Sequence, residues 1–252
     1  MQPLIDAHPT SADHRISSSA ETFAGMSRPK ARLYDWIKLL ADFTLALALF
    51  VVFLPVMIIA GILVRITSRG PAIYTQTRLG RNGRPFNIIK LRTMFHNCEG
   101  VTGAKWATKG DPRVTPLGRL LRKTHVDELP QIWNVLRGEM SLVGPRPERP
   151  EIIVTLEDMI PGYRGRLSVK PGVTGLAQIQ LPPDTDLDSV RDKLVLDICY
   201  VERQGLSLDA RIFVGTGLYL FGLSYAGVRR VMALPTGRPD EEVFARALPL
   251  KG

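Results

Sequence analysis

The uncharged run Phe43-Thr-Leu-Ala-Leu-Ala-Leu-Phe-Val-Val-Phe-Leu-Pro-Val-Met-Ile-Ile-Ala-Gly-Ile-Leu-Val64 decides the architecture. As a helix it is long enough to cross a bilayer, because ~20 apolar residues cover the ~30 Å hydrocarbon core. Pro55 sits near its middle, where it removes a backbone hydrogen bond and crowds the preceding turn. Each half alone reaches at most ~18 Å at ~1.5 Å per residue, short of the far side. Both flanks are basic: Arg28, Lys30, Arg32 and Lys38 before the run; Arg65, Arg69, Arg78, Arg81 and Arg84 after it. Positive residues favour the cytoplasmic side, so both ends prefer the same face. A re-entrant helix broken at Pro55 satisfies that preference. A kinked span violates it at one end, although proline is tolerated in such helices. The residues alone leave the two open. Asp42 reads as a helix cap or a headgroup-level group.

Working outward, residues 1–30 are rich in Ser, Ala, His and Pro and show no hydrophobic period, which predicts a disordered lead-in. They lack the apolar core of a secretory signal, so no cleavage is expected. Beyond the apolar run, Gly70-Pro71 ends the element. Ile73 to Thr77 and Phe86 to Lys90 read as short strands joined by an Asn82-Gly83 turn. Lys90 and Arg92 then share one strand face. They either grip a phosphate or are simply solvated. Phe95 to Asp111 is loop-like, with Gly100, Gly103 and Gly110. Thr115-Pro116 signals a helix start. Leu117, Leu120 and Leu121 form that helix's apolar face, opposite Arg119, Arg122 and Lys123.

The chemistry concentrates in the next stretch, where Asp127 and Glu128 lie between Arg119, Arg122 and Lys123 on one side and Arg137, Arg146 and Arg149 on the other. A carboxylate among fixed cations is held ionised, and the same cations can bind a phosphorylated substrate. A second helix is expected to start between Thr124 and Asp127. Thr124 would be the cap and Asp127 the third residue of a capping box. Pro130 would then fall in the first turn, and Gly138 would end the helix. Asp127 would sit at the positive end of the helix dipole. An acidic pair in a first turn is more often only a cap. Pro145 and Pro147 flank Arg146 and restrict its direction, which preorganises it for phosphate or merely makes a rigid turn.

The formal net charge of +9 favours anionic partners: nucleic acid, acidic lipid or phosphorylated small molecules. Nucleic acid is disfavoured, since the cations surround an acidic pair and are not interleaved with aromatics. Cys98 and Cys199 have no metal-ligand spacing and read as reduced cytoplasmic thiols. Pro161 to Arg166 and Ser168 to Gln178 read as loops and short elements. Leu187 to Arg203 reads as an amphipathic helix with Leu194, Ile198 and Val201 inward, and with Asp197 and Tyr200 as structural support. Leu206 to Tyr225 reads as an interfacial or core helix. From Gly227 onward the chain is a basic, proline-containing tail.

Several long motifs occur together: Lys90-Leu-Arg-Thr-Met94, Asp111-Pro-Arg-Val-Thr115, Arg122-Lys-Thr-His-Val-Asp-Glu-Leu-Pro-Gln-Ile-Trp-Asn-Val-Leu-Arg-Gly138, Met140 to Pro147, and Lys170-Pro-Gly-Val-Thr-Gly-Leu-Ala-Gln178. Over about Tyr34 to Tyr219 the chain resembles the bacterial sugar transferases, the monotopic phosphoglycosyl transferases. The resemblance implies an α+β, mostly α fold: a re-entrant N-terminal membrane helix broken near Pro55, and a small cytoplasmic catalytic domain with a β-hairpin and interfacial amphipathic helices. The implied divisions are a lead-in at 1–30, the membrane helix at 31–69, the catalytic domain at 70–225 and a tail at 226–252. The implied reaction moves a sugar-1-phosphate from a UDP-sugar to undecaprenyl phosphate at the bacterial inner membrane, with Mg²⁺ and a covalent aspartyl-phosphosugar. It would be the first membrane step of exopolysaccharide, O-antigen, capsule or glycoprotein glycan synthesis. By motif position Asp127 is the nucleophile and Glu128 completes the dyad, with either as a metal ligand. Arg146, Lys90, Arg92, Arg122 and Arg119 are the implied phosphate-binding residues. Membrane lipids are implied partners, and a homo-oligomer is compatible. Two positions depart from the family pattern: His125 stands where Ser or another small polar residue is frequent, and Leu54 where Ser precedes the proline. A phosphatase using Asp127 is the remaining alternative, and it would release free phosphate instead of UMP.

Overall fold

A computed structural model describes residues 32–96, 98 and 110–236. The expected lead-in at 1–30, most of the 95–111 loop and the end of the basic tail lie outside them. The chain divides into two compact units: one from 32–42, 77–86 and 139–236, the other from 43–76 and the described part of 87–138. Helix α1 (Arg32–Thr67) and the hairpin of β1 (Ile73–Leu79) and β2 (Pro85–Leu91) contribute residues to both.

Helix α1 has 36 residues, or ~54 Å at ~1.5 Å per residue, well beyond the hydrocarbon thickness. Among the described residues it is the one helix long and apolar enough to cross a membrane. Val51, Val52, Ile58, Ile59, Ile62 and Ile66 are exposed on it, a surface suited to lipid. The expected break does not occur: the helix runs through Pro55 without leaving helical structure. One absent N–H donor costs a single rung of the ladder, which a long apolar helix survives.

In the second unit Ala60 and Val64 of α1 pack with Leu91 of β2 and Leu121 of helix α2 (Pro116–Thr124), joined by Ala72, Leu117 and Val126. Thr115 caps α2, its Oγ1 accepting from Gly118 N at 2.9 Å, with proline at the first position as expected. Helix α3 (Gln131–Leu136) follows, and Gly138 ends it at φ 75°. At the hairpin, Asn82 and Gly83 take left-handed φ values of 57° and 71°, the conformation that an Asn-Gly turn supplies cheaply. Both strands run about two residues longer than predicted.

The other unit contains β3 (Ser141–Val143), α4 (Pro150–Met159), a 3₁₀ stretch (Tyr163–Ser168), β4 (Gly172–Thr174), α5 (Leu187–Arg203), α6 (Leu206–Leu220) and α7 (Tyr225–Val231). Strands β3 and β4 pair in parallel, Ser141 with Gly172 and Val143 with Thr174. Gly172 is required there: a Cβ would lie 2.1 Å from Gly144 N. Helix α5 matches its expected span and buries Leu194, Ile198 and Val201. Its cap is Asp186, in a capping box with Ser189.

This unit also holds the first turns of α1. Lys38 Nζ donates to Asp209 Oδ2 at 2.8 Å, as does Tyr34 OH at 2.8 Å. Tyr200 OH donates to Asp209 Oδ1 at 2.7 Å, and burial raises that phenol's pKa. Asp42 corrects one part of the sequence reading: it lies inside α1 and caps no helix. Its carboxylate accepts from Ser141 Oγ at 2.7 Å and from Leu142 N at 3.2 Å, fixing α1 to β3.

Candidate active site

The acidic pair is held by the short segment that leaves β2. Lys90 Nζ lies 2.8 Å from Glu128 Oε1, with both side chains largely buried. Leu91 enters the apolar cluster beside Val126. Thr93 accepts from Arg122 Nε at 2.8 Å through its hydroxyl, and from Thr115 N at 3.0 Å through its carbonyl. Four consecutive residues therefore fix the pair, the membrane helix and the start of α2. Asn134, fully buried on α3, receives Ile89 N at 3.1 Å and donates to Asn87 O at 2.8 Å, so it sets the position of β2 just before Lys90.

The pair does not occupy the first turn of an α-helix. Helix α2 continues to Thr124, whose hydroxyl donates back to Leu120 O and Leu121 O and caps nothing. His125 then adopts φ 56°, a left-handed C-cap. Val126–Glu128 form a separate 3₁₀ turn, and α3 begins only at Gln131. Asp127 thus owes its position to the reversal at His125 and to Val126 packing on α1, not to a helix dipole. It is 7 % exposed.

Arg92 is not solvated as a free surface group would be. Its guanidinium donates to Arg69 O (2.7 Å), Ser68 O (2.8 Å) and Ser68 Oγ (2.8 Å), at the C-terminal end of α1. Burial lowers its pKa, with Arg65 adding to the effect. Lys90 is likewise engaged with Glu128, so the solvated reading gives way to internal contacts for both residues. Arg122 is half-buried against Thr93, and Arg119 is exposed on α2. Asp111 forms a fork with Arg113, Nε to Oδ1 at 3.0 Å and Nη2 to Oδ2 at 2.6 Å. This hydrogen bonding holds its carboxyl below the ordinary carboxylate pKa.

Arg146 belongs to the other unit. It is half-buried, and the carbonyls on either side of its amide plane are occupied: Pro145 O accepts from Gly172 N at 2.9 Å and Arg146 O from Arg166 Nη2 at 2.9 Å. Arg166 is buried against Asp197 at 2.6 Å and Tyr163 OH at 2.6 Å. Arg166, Asn134 and the β3–β4 pair were not found by sequence reasoning. Asp197 was expected to give structural support, and it does.

Among the described residues no group of three or more His, Cys, Asp or Glu side chains could hold a metal ion. Asp127 and Glu128 supply two adjacent carboxylates. That is compatible with Mg²⁺, which typically uses one or two carboxylates and completes its shell with phosphate oxygens and water.

Comparison with known proteins adds a consistent result. The sequence pattern of the family described as Bacterial sugar transferase matches residues 33–222. A UDP-glucose:undecaprenyl-phosphate glucose-1-phosphate transferase of Caulobacter vibrioides is 39% identical, over 85% of this chain and 82% of that protein. A UDP-N-acetylgalactosamine-undecaprenyl-phosphate N-acetylgalactosaminephosphotransferase of Aeromonas hydrophila is 39% identical over 73% of this chain and 43% of its own length. An undecaprenyl-phosphate glucose phosphotransferase of Komagataeibacter xylinus is 38% identical over 68% of this chain and 33% of its own. The chain therefore spans less than half the length of these last two relatives.

Proposed function

Because this chain belongs to the bacterial sugar transferase family, we propose that it transfers a sugar-1-phosphate from a UDP-sugar to undecaprenyl phosphate and releases UMP. The observation that carries the reading is the Val126–Glu128 turn, where a buried Asp127 sits beside a Glu128 held 2.8 Å from Lys90. An isolated buried carboxylate pair would be expensive, and Lys90 places a counter-charge beside it.

In this reading an Asp127 carboxylate oxygen attacks the sugar-bearing phosphorus of the donor. A new P–O bond forms and the bond to UMP breaks, leaving an aspartyl-phosphosugar. A phosphate oxygen of the polyprenyl acceptor then attacks the same phosphorus and frees Asp127. Glu128, oriented by Lys90, fixes the charge beside the nucleophile. Asp127 and Glu128 would hold Mg²⁺, which when bound neutralises charge on the diphosphate and the leaving group. Arg122 and Arg119 on α2 and Arg146 on its proline-braced turn supply guanidinium groups for phosphate oxygens. Arg92 supports the site through α1 instead. Both flanks of helix α1 are basic, a pattern that favours the cytoplasmic face of the inner membrane for each end. The product begins assembly of a surface polysaccharide or protein-linked glycan.

The test is UMP release from a panel of UDP-sugars, with and without undecaprenyl phosphate and Mg²⁺, for the wild type and Asp127→Asn. Metal-dependent UMP from at least one donor, lost in the variant, is expected. Full activity in Asp127→Asn removes it as nucleophile, and release of inorganic phosphate in place of UMP makes the protein a phosphatase.

A further inference from the structure

Strands β1 and β2 form a two-stranded sheet, so one edge of β2 has no neighbouring strand among the described residues. Asn87 and Ile89 turn their backbone groups to that edge, and the side chain of Asn134 fills it. Nδ2 donates to Asn87 O at 2.8 Å, and Oδ1 accepts from Ile89 N at 3.1 Å. In a parallel ladder, a residue donates to the carbonyl just before its partner and accepts from the N–H just after it. The Asn134 carboxamide makes that pair of bonds around Ile88, so one side chain stands in for one residue of a third strand. Its orientation is fixed by the bonds themselves. Turning the amide over would set carbonyl against carbonyl and N–H against N–H.

We propose that Asn134 is a positioning residue for the acidic pair, acting through Lys90 and Glu128. The proposal rests on the transferase reading and deepens it. The Val126–Glu128 turn, Leu129, Pro130 and α3 run on as one right-handed stretch. Several of its turns close from residue i to i+3: Leu129 N donates to Val126 O, Ile132 N to Leu129 O and Trp133 N to Pro130 O. At that pitch side chains three residues apart stand one above another. Glu128, Gln131 and Asn134 have this spacing and form a polar ridge turned inward. Gln131 and Asn134 are buried, whereas Trp133 between them in sequence is exposed.

The ridge meets β2 at both ends. Asn134 holds Asn87 and Ile89, and Glu128 lies 2.8 Å from Lys90, the next residue along the strand. Two attachments at opposite ends of a short rigid stretch fix its register and its tilt against β2. A single attachment would let it pivot. Asp127 is carried in the same turn as Glu128, so its carboxylate moves with the ridge. Cutting the Asn134 bonds also leaves Asn87 O and Ile89 N bare beside a buried side chain, which favours a shift of β2 and of Lys90 with it.

The experiment measures UMP release by the full-length chain for the wild type, Asn134→Ala, Lys90→Met, the double variant, and Val135→Ala. Val135, buried and apolar on the same helix, is the control for a loss of packing alone. Rates are taken at a temperature where melting curves show every variant folded. Asn134→Ala should lower kcat about ten- to hundredfold, the scale of a ~1 Å misplacement. Donor KM should stay within about twofold, since Asn134 touches no substrate. Val135→Ala should keep kcat within about twofold. In the Lys90→Met background the loss of Asn134 should cost about twofold or less, because the route to Glu128 is already cut. Asn134→Ser keeps one hydrogen-bonding group and should recover part of kcat; it replaces the alanine variant if that one does not fold. Unchanged kcat in a folded Asn134 variant overturns the proposal. An equal kcat loss in Val135→Ala, or losses that multiply in the double variant, overturns it too and makes Asn134 a fold-stabilising residue only. If Lys90→Met alone is inactive, the comparison with Val135→Ala decides. A wild type that releases no UMP from any donor sinks the transferase reading and this proposal with it, whereas wild-type turnover with any of the overturning results sinks this proposal alone.

Discussion

Replacing Arg92 with alanine tests whether that residue binds substrate or holds the membrane helix. The guanidinium makes three hydrogen bonds of 2.7–2.8 Å to Ser68 and Arg69 at the end of α1. Hydrogen bonds involving a charged group contribute about 1.5–3 kcal/mol each. A cation at a helix C-terminus adds about 0.3–1 kcal/mol. Water can enter and satisfy some of the freed carbonyls, which removes part of the total. The expected loss is therefore roughly 3–5 kcal/mol, in line with breaking a buried charged contact. For a chain of this size each kcal/mol lowers Tm by about 2–4 °C, so Arg92→Ala should melt about 6–20 °C below the wild type. The assay is thermal unfolding of the detergent-solubilised chain followed by intrinsic fluorescence, with donor KM measured at a temperature where both proteins are folded. Arg92→Lys should fall between them, because one ammonium cannot reproduce the planar fork. An Arg92→Ala protein that melts with the wild type yet shows a tenfold higher donor KM would refute the capping role and restore the phosphate role.

Two further outcomes follow from contacts in the same unit. Gly118→Ala would ordinarily strengthen a helix by about 1 kcal/mol, but here the added Cβ lies 2.0 Å from Thr93 O. A net destabilisation of about 1–3 kcal/mol by overpacking is expected in the same melting assay, and a rise in Tm would show that α2 moves freely from Thr93. The second outcome concerns acid. Asp111 has a folded pKa below its unfolded value, through hydrogen bonding to Arg113. Its stabilisation is thus complete above the unfolded value of about 4 and lost as pH falls through the lower folded value. Denaturation between pH 5 and 3 should show a shallower loss of stability in Asp111→Asn than in the wild type; identical slopes would remove Asp111 from the acid response.

Local signals in the sequence were read well where the cause was local. Asn82-Gly83, Thr115-Pro116 and Gly138 each act through their own backbone, and α5 shows a long uninterrupted apolar period with a capping box before it. The acidic pair was located, but its setting was mistaken. The break at His125 needs a non-glycine residue at positive φ, which is uncommon in general, although His is one of the residues enriched there. Strands β3 and β4 are three residues each and pair across a long connection, too short for a period of two to register. The partners of Arg92 and Asp42 lie 24 and 99 residues away. A charge so placed reads as solvated until tertiary contacts are known. Arg166 and Asn134 are polar residues without a motif signature of buried function, and only their burial identifies them.

The attachment of Lys38 has a consequence for how the protein is made. Its partner Asp209 follows 171 residues later in the chain. At about 5–20 residues per second, roughly 10–35 s separate their synthesis. Through that interval the start of α1 has its own i,i+4 neighbour Asp42 for Lys38, at 3.8 Å in the finished protein, while Ser141, Leu142 and Asp209 are still to come. The whole of α1 is therefore synthesised before the contacts that fix its base exist, and the late-arriving carboxylate of Asp209 latches a segment already made.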